Sequence, residues 1–198
     1  MTTKADYNQC IKDVIYKYYK VDESSLSTLY NLAEIKHFKK NEIILPVGKI
    51  ANDICILYKG VVIAYFLDEN GNAYNKNIFL ENNLVGSTVS YLTNSPSKFA
   101  LEALEDSIII SFNYKKYREL IFNNDNFKNY YISYLEKQWI IEKEKREIDI
   151  VMKDASVRYE EFLEQYPNID KKIPLNHIAS HLGITPRQFS RIRKIIKN

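Results

Sequence analysis

Seven residues near the C-terminus, Leu182-Gly-Ile-Thr-Pro-Arg-Gln188, hold a helix stop followed at once by a helix start. Gly183 suits the left-handed conformation that ends a helix and turns the chain sharply. Thr185 then stands where an N-cap belongs, Pro186 at the first helical position and Gln188 three residues after the cap. That is a capping box with a proline start. Upstream, Leu175, Ile178, Ala179 and Leu182 recur at helical spacing and predict a helix over Pro174–Leu182. Downstream, Phe189, Ile192 and Ile196 give the second helix a single apolar stripe. Such a chain end folds as two short helices set at an angle.

The charge pattern says what those helices could meet. Lys171–Asn198 carries seven Lys or Arg and no Asp or Glu. The first 170 residues hold the other 21 of 28 basic side chains against all 25 acidic ones, so the positive field gathers at one end. Such a field attracts a polyanion, because neutralised phosphates release their counterions. In a helix-turn-helix the second helix enters the major groove of double-stranded DNA with its N-terminal residues at the base edges. Arg pairs in bidentate fashion with guanine, and Gln with adenine. The candidate readers are Arg187, Gln188 and Arg191, beside Thr185, while Ser190, Arg193, Lys194 and Lys197 are expected to meet phosphate. The plainer alternative is an amphipathic helix with solvated charges. It requires the preceding helix, the glycine turn and the capping box to coincide by accident.

Before this tail the pattern changes twice. Ala5–Lys20 and Ser24–Ile35 read as helices, with Ser24 and Ser25 as caps. From His37 to Asn113 short runs rich in Ile, Val, Tyr and Phe read as strands: Glu42–Leu45, Asp53–Lys59, Val61–Leu67, Ala73–Leu80, Phe99–Ala103 and Ser107–Asn113. Asn70-Gly71 is a hairpin signal. Many short strands at regular spacing predict a small antiparallel barrel or roll. Tyr114–Phe122 reads as a short helix, followed by a long one from Asn126 to Met152. There Phe127, Tyr131, Tyr134, Gln138, Ile141, Lys145, Ile148 and Met152 alternate in steps of four and three, an a/d seam expected of a homodimer helix. Tyr130, Leu135, Trp139 and Ile140 are expected to cover the barrel. Ala155–Gln165 forms a further helix, and Tyr166–Lys172 links it to the basic pair.

Several functions are excluded. No run approaches the roughly eighteen apolar residues of a membrane span, no secretory signal precedes the first acidic residue, and the mean hydropathy is −0.36, so a cytoplasmic protein is expected. Cys10 and Cys55 make neither a disulfide framework nor a cluster motif. A cupin-like metal enzyme needs His and carboxylate ligands converging from several strands. Only His37, His177 and His181 are present, and Ile178 occupies the place of the general base in a two-histidine zinc helix. Both helix histidines are expected on a polar face. No metal site and no catalytic constellation are expected, so the chain reads as a non-enzyme.

Three stretches together carry a resemblance over nearly the whole length: Leu57-Tyr-Lys-Gly60, Asn113-Tyr-Lys-Lys-Tyr-Arg-Glu-Leu120 and Ile178-Ala-Ser-His-Leu-Gly-Ile-Thr-Pro-Arg-Gln-Phe-Ser-Arg191. The chain resembles the Crp/Fnr family of bacterial transcription regulators. The resemblance implies an α+β chain in three parts: a cyclic-nucleotide-binding-like, jelly-roll-like β-roll with flanking helices over 1–125, a dimerisation helix over 126–153, and a helix-turn-helix domain over 154–198. It also implies a homodimer on a near-palindromic operator, in contact with RNA polymerase. Members that bind cyclic AMP hold its ribose with the Glu of a Gly-Glu pair and its phosphate with the Arg of a later Arg-Ser pair. Here Gly86-Ser87 and Ser97-Lys98 fall at those places, which argues against cyclic AMP. Gly86, Ser87, Thr88, Ser97 and Lys98 are the candidate effector residues. Two cysteines cannot ligate the iron–sulfur cluster of another branch. No cofactor is implied, and with Asn198 as last residue the family's C-terminal wing is expected to be missing. The rival reading is a small-molecule sensor or interaction protein without DNA function.

Overall fold

The structure, a computed structural model, describes residues 2–69 and 73–196. The Asn70-Gly71 hairpin signal and Lys197 lie outside the described residues. Among the described residues eight strands are present: β1 (Ala33–Phe38), β2 (Ile43–Leu45), β3 (Asp53–Lys59), β4 (Val62–Leu67), β5 (Ala73–Phe79), β6 (Leu84–Val85), β7 (Ala100–Ala103) and β8 (Ser107–Asn113). They pair antiparallel in two four-stranded sheets, β1-β8-β3-β6 and β2-β7-β4-β5.

Both faces of the first sheet are covered, which explains the near-continuous apolar runs of β3 and β8. Side chains alternate along a strand. Ile54, Ile56, Ile110 and Phe112 therefore point outward into a core shared with helices, while Cys55, Leu57 and Ile109 point inward against Val62, Ala64 and Leu101 of the second sheet. Gly60 turns β3 into β4 at φ +107°, and a Cβ there would lie 2.9 Å from Ser107 Cα and closer still to its hydroxyl. Only glycine fits this crossing.

Helices α1 (Lys4–Tyr16) and α2 (Glu23–Asn31) pack on the outer face of the first sheet. Thr3 and Asp6 form the capping box of α1. Asp22 caps α2, accepting the Ser25 amide at 2.8 Å, so Ser24 and Ser25 are not the caps. The helix expected to run to Ile35 stops at Asn31, because Ala33–Phe38 pairs residue by residue with β8. Tertiary pairing overrides local propensity there. β6 and a short helix, α3 (Thr88–Thr93), are additions to the sequence expectation.

Asn113 caps α4 (Tyr114–Asn123) and Asn124 caps α5 (Asp125–Tyr134). Tyrosines gather in this region: Tyr117, Tyr130 and Tyr134 are buried, the Tyr117 hydroxyl donates to that of Tyr130 at 3.3 Å, and Tyr91 stacks on Tyr114 at 4.1 Å. The long helix then widens into a π-helical segment, Leu135–Ile141, before resuming as α6 (Glu142–Met152). The remaining helices are α7 (Ala155–Gln165), α8 (Ile169–Lys172, inside the expected linker), α9 (Leu175–His181) and α10 (Pro186–Ile196). Their core, with Tyr159, Phe162, Ile178 and Phe189, is continuous with Val61, Ile63 and Ile78 on the outer face of the second sheet.

Candidate functional site

The turn between α9 and α10 forms as its residue types dictate. Gly183 adopts φ +71°, the Thr185 amide donates to Gln188 Oε1 at 2.9 Å, and the Gln188 amide donates to Thr185 Oγ1 at 3.2 Å. Arg158 of α7 donates to the Leu182 carbonyl at 3.0 Å, fixing the end of α9. Phe189 is 2% exposed and meets Tyr159 in a T-shaped contact at 4.8 Å. With that face anchored, Arg187, Gln188, Ser190, Arg191 and Lys194 are exposed beside Thr185. Arg193 departs from expectation: it is turned inward and pairs with Asp170 at 3.6 Å.

The two helix histidines do not form a solvated polar face. Asn75 of β5 donates its side-chain amide to the His177 carbonyl at 3.0 Å and lies 2.9 Å from His177 Nδ1, and its backbone amide donates to Ser180 Oγ at 2.7 Å. His181 packs against Phe162 at 5.3 Å. Burial, aided by the Arg146 charge, pushes its pKa down to about 4. Burial lowers His177 as well, against the opposing pull of Glu102. The sequence marks both as polar and gives no sign that β5 would receive them.

Within the roll, Gly86, Ser87 and Ser97 come together and Lys98 does not. Ser87 and Ser97 are each 2% exposed, and Ser97 Oγ lies 2.9 Å from Ser87 Oγ and 2.7 Å from the Phe99 carbonyl oxygen. Thr88 accepts from the Tyr91 hydroxyl at 3.1 Å, and Lys98 faces solvent. Two neutral hydroxyls that satisfy each other supply neither a cation for a phosphate nor a carboxylate for a ribose. Beside them a cavity of about 220 Å³ opens between the sheets, with Lys36, Asp53, Cys55 and Ser111 on its wall. These residues were missed at the sequence level. On the apolar strands β3 and β8 the signal is a polar side chain at an inward position, as at Ser111, whereas β1 gives none for Lys36.

The long helix divides differently from the expected seam. Phe127 and Tyr134 lie in the chain's own core, so these two are not free for a partner, while Tyr131 packs against that core and stays half-buried. Gln138, Ile141, Lys145 and Ile148 are exposed, and Gln138 accepts from the Tyr18 hydroxyl of its own chain at 3.3 Å. Tyr130 and Leu135 cover the first sheet's helical core as expected. Trp139 and Ile140 do not, being 41% and 58% exposed. A π segment holds one residue more per turn than the α pattern allows, so it shifts the buried face.

No curated protein matches this sequence. The family model of the cyclic nucleotide-binding domain matches residues 35–124, the span of the roll and its exit helix. Among solved structures, the c-di-GMP-responsive global regulator CLP of Xanthomonas campestris is 10% identical, with TM-score 0.66 over 89% of this chain and 92% of that one. FixK2 of Bradyrhizobium japonicum is 18% identical, with TM-score 0.67 over 83% of this chain and 84% of that one. The sensor domain of the transcriptional regulator DNR from Pseudomonas aeruginosa is 15% identical, with TM-score 0.57 over 75% and 93%. At these identities the likeness is one of fold.

Proposed function

We propose that this chain is a sequence-specific DNA-binding transcription regulator of the Crp/Fnr type, a homodimer and not an enzyme. The observation that carries the reading is the disposition of α10: Phe189 anchors one side while Arg187, Gln188 and Arg191 stand exposed on another, behind a capped N-terminus. Residues 1–125 serve as sensor, 126–153 as dimerisation helix and 154–198 as the DNA-binding part. Two copies meet through Ile141, Lys145 and Ile148, extended by Val151 and Met152, which are 80% and 77% exposed. Their two α10 helices then enter successive major grooves about 34 Å apart on a near-palindromic site. Contact with RNA polymerase follows from the same reading, as does a cytoplasmic setting. Among the described residues no helix is long and apolar enough to cross a membrane.

The Ser87–Ser97 pair disfavours cyclic AMP as effector. A signal at α3 would reach α4 through the Tyr91–Tyr114 stack and the long helix through the Tyr117–Tyr130 hydroxyl contact, and reorienting that helix would change the spacing of the two heads.

Gel-shift titration against genomic fragments at two salt concentrations tests the proposal. Retention is expected to be selective and salt-sensitive. Arg187→Ala and Arg191→Ala should each cost about 1–3 kcal/mol and relax preference at one position, while Lys194→Ala weakens all sequences alike. Retention that is absent, or indifferent to both arginine changes, sinks it.

A further inference from the structure

The cavity inside the roll has a chemistry of its own, and it rests on the fold rather than on any DNA contact. Its volume, about 220 Å³, is below the roughly 300–1,000 Å³ of sites for drug-sized ligands. It exceeds the roughly 150 Å³ apolar cavity that suffices for benzene. Most of its wall is apolar, including Phe38, Ile44, Leu101 and Ile109. The two charges on it cancel, because Lys36 of β1 and Asp53 of β3 pair at 2.7 Å. An ionic ligand would find no free counter-charge and would bring an unpaired charge into an apolar space.

One polar group is left over. Ser111 of β8 is 1% exposed, lines the cavity, and its Oγ has no hydrogen-bond partner. Its cross-strand neighbour Cys55 is close enough for the hydroxyl to act on the thiol, yet the two do not close a bond. A buried hydroxyl without a partner is costly and calls for one.

We infer that this cavity is a binding site for a compact, uncharged, mainly apolar molecule carrying a single hydrogen-bonding group that meets Ser111. Gly86 and Ser87 belong to its wall, while Ser97 and Lys98 do not. A ligand here would therefore press on the start of α3 without using the cyclic-phosphate positions.

The test uses indole, which has one N–H donor, and indene, which has the same shape without it. Calorimetry and ligand-observed magnetic resonance on the full chain should show saturable one-to-one binding of indole, tighter than that of indene. Ser111→Ala should weaken indole by about two- to tenfold and leave indene unchanged. Ile44→Trp, at the half-buried rim, should block both probes without touching the floor of the cavity. Failure of both probes to bind, indole binding that survives Ile44→Trp, or a cavity that holds only water overturns the inference. Tighter binding of cyclic AMP than of indole does so too. Since no DNA is present, these outcomes are separate from the gel-shift result.

Discussion

His181 shows how one side chain ties pH to the docking of the terminal helices. Its folded pKa of about 4 lies below the ordinary 6.5 because burial disfavours the charged form. As pH falls through about 6.5 the unfolded imidazole takes up a proton that the folded one refuses until about 4. The stability conferred by neutral His181 is thus complete above that window and is lost through it. Urea titrations at pH 7 and pH 5 should differ by on the order of 2 kcal/mol more in the wild type than in His181→Gln. Gly60 is constrained by geometry instead. Gly60→Ala puts a methyl group against Ser107 at a positive φ, and should cost about 2–4 kcal/mol in the same assay. At this scale the sequence is legible where the cause is local. Thr185 and Gln188 cap as their spacing requires, whereas Lys36 and Ser111 acquire meaning only when distant strands set them side by side.

Among the elements, the long helix diverges most from a reading by periodicity. Counting in steps of three and four assumes a constant turn, and the π segment at Leu135–Ile141 breaks that assumption in mid-helix. Upstream of it the apolar residues other than Ile132 serve the chain's own core, and downstream they face outward. The dimer surface proposed above therefore begins near Ile141. Ile148→Glu should lower the association constant by more than about tenfold in sedimentation, since a carboxylate must then be buried at the interface. Far-ultraviolet circular dichroism should stay unchanged, because Ile148 is 52% exposed within one chain. The strands were legible from their β-branched and aromatic runs, with two exceptions. β1 carries Glu34, Lys36 and His37, and β6 is only two residues long, so neither offers a run to read.

For the molecule as a whole, three apolar cores are stacked through two sheets: helices, sheet, roll interior, sheet, helices. The last layer is held partly by polar contacts, and Asn75 makes most of them. Asn75→Ala should cost about 1–2 kcal/mol and raise amide exchange in α9 before it does so in the roll, as hydrogen-exchange mass spectrometry would show. This docking was invisible in the sequence, since nothing local to Asn75 points to residues more than a hundred positions away. It also has a second effect. β5 is the outermost strand of its sheet, and the Ser180 hydroxyl occupies a backbone donor that would otherwise face outward. Lifting α9 away would open a margin able to recruit a foreign strand. The helices proposed to read DNA would then double as a guard against aggregation, and time spent undocked would carry a solubility risk.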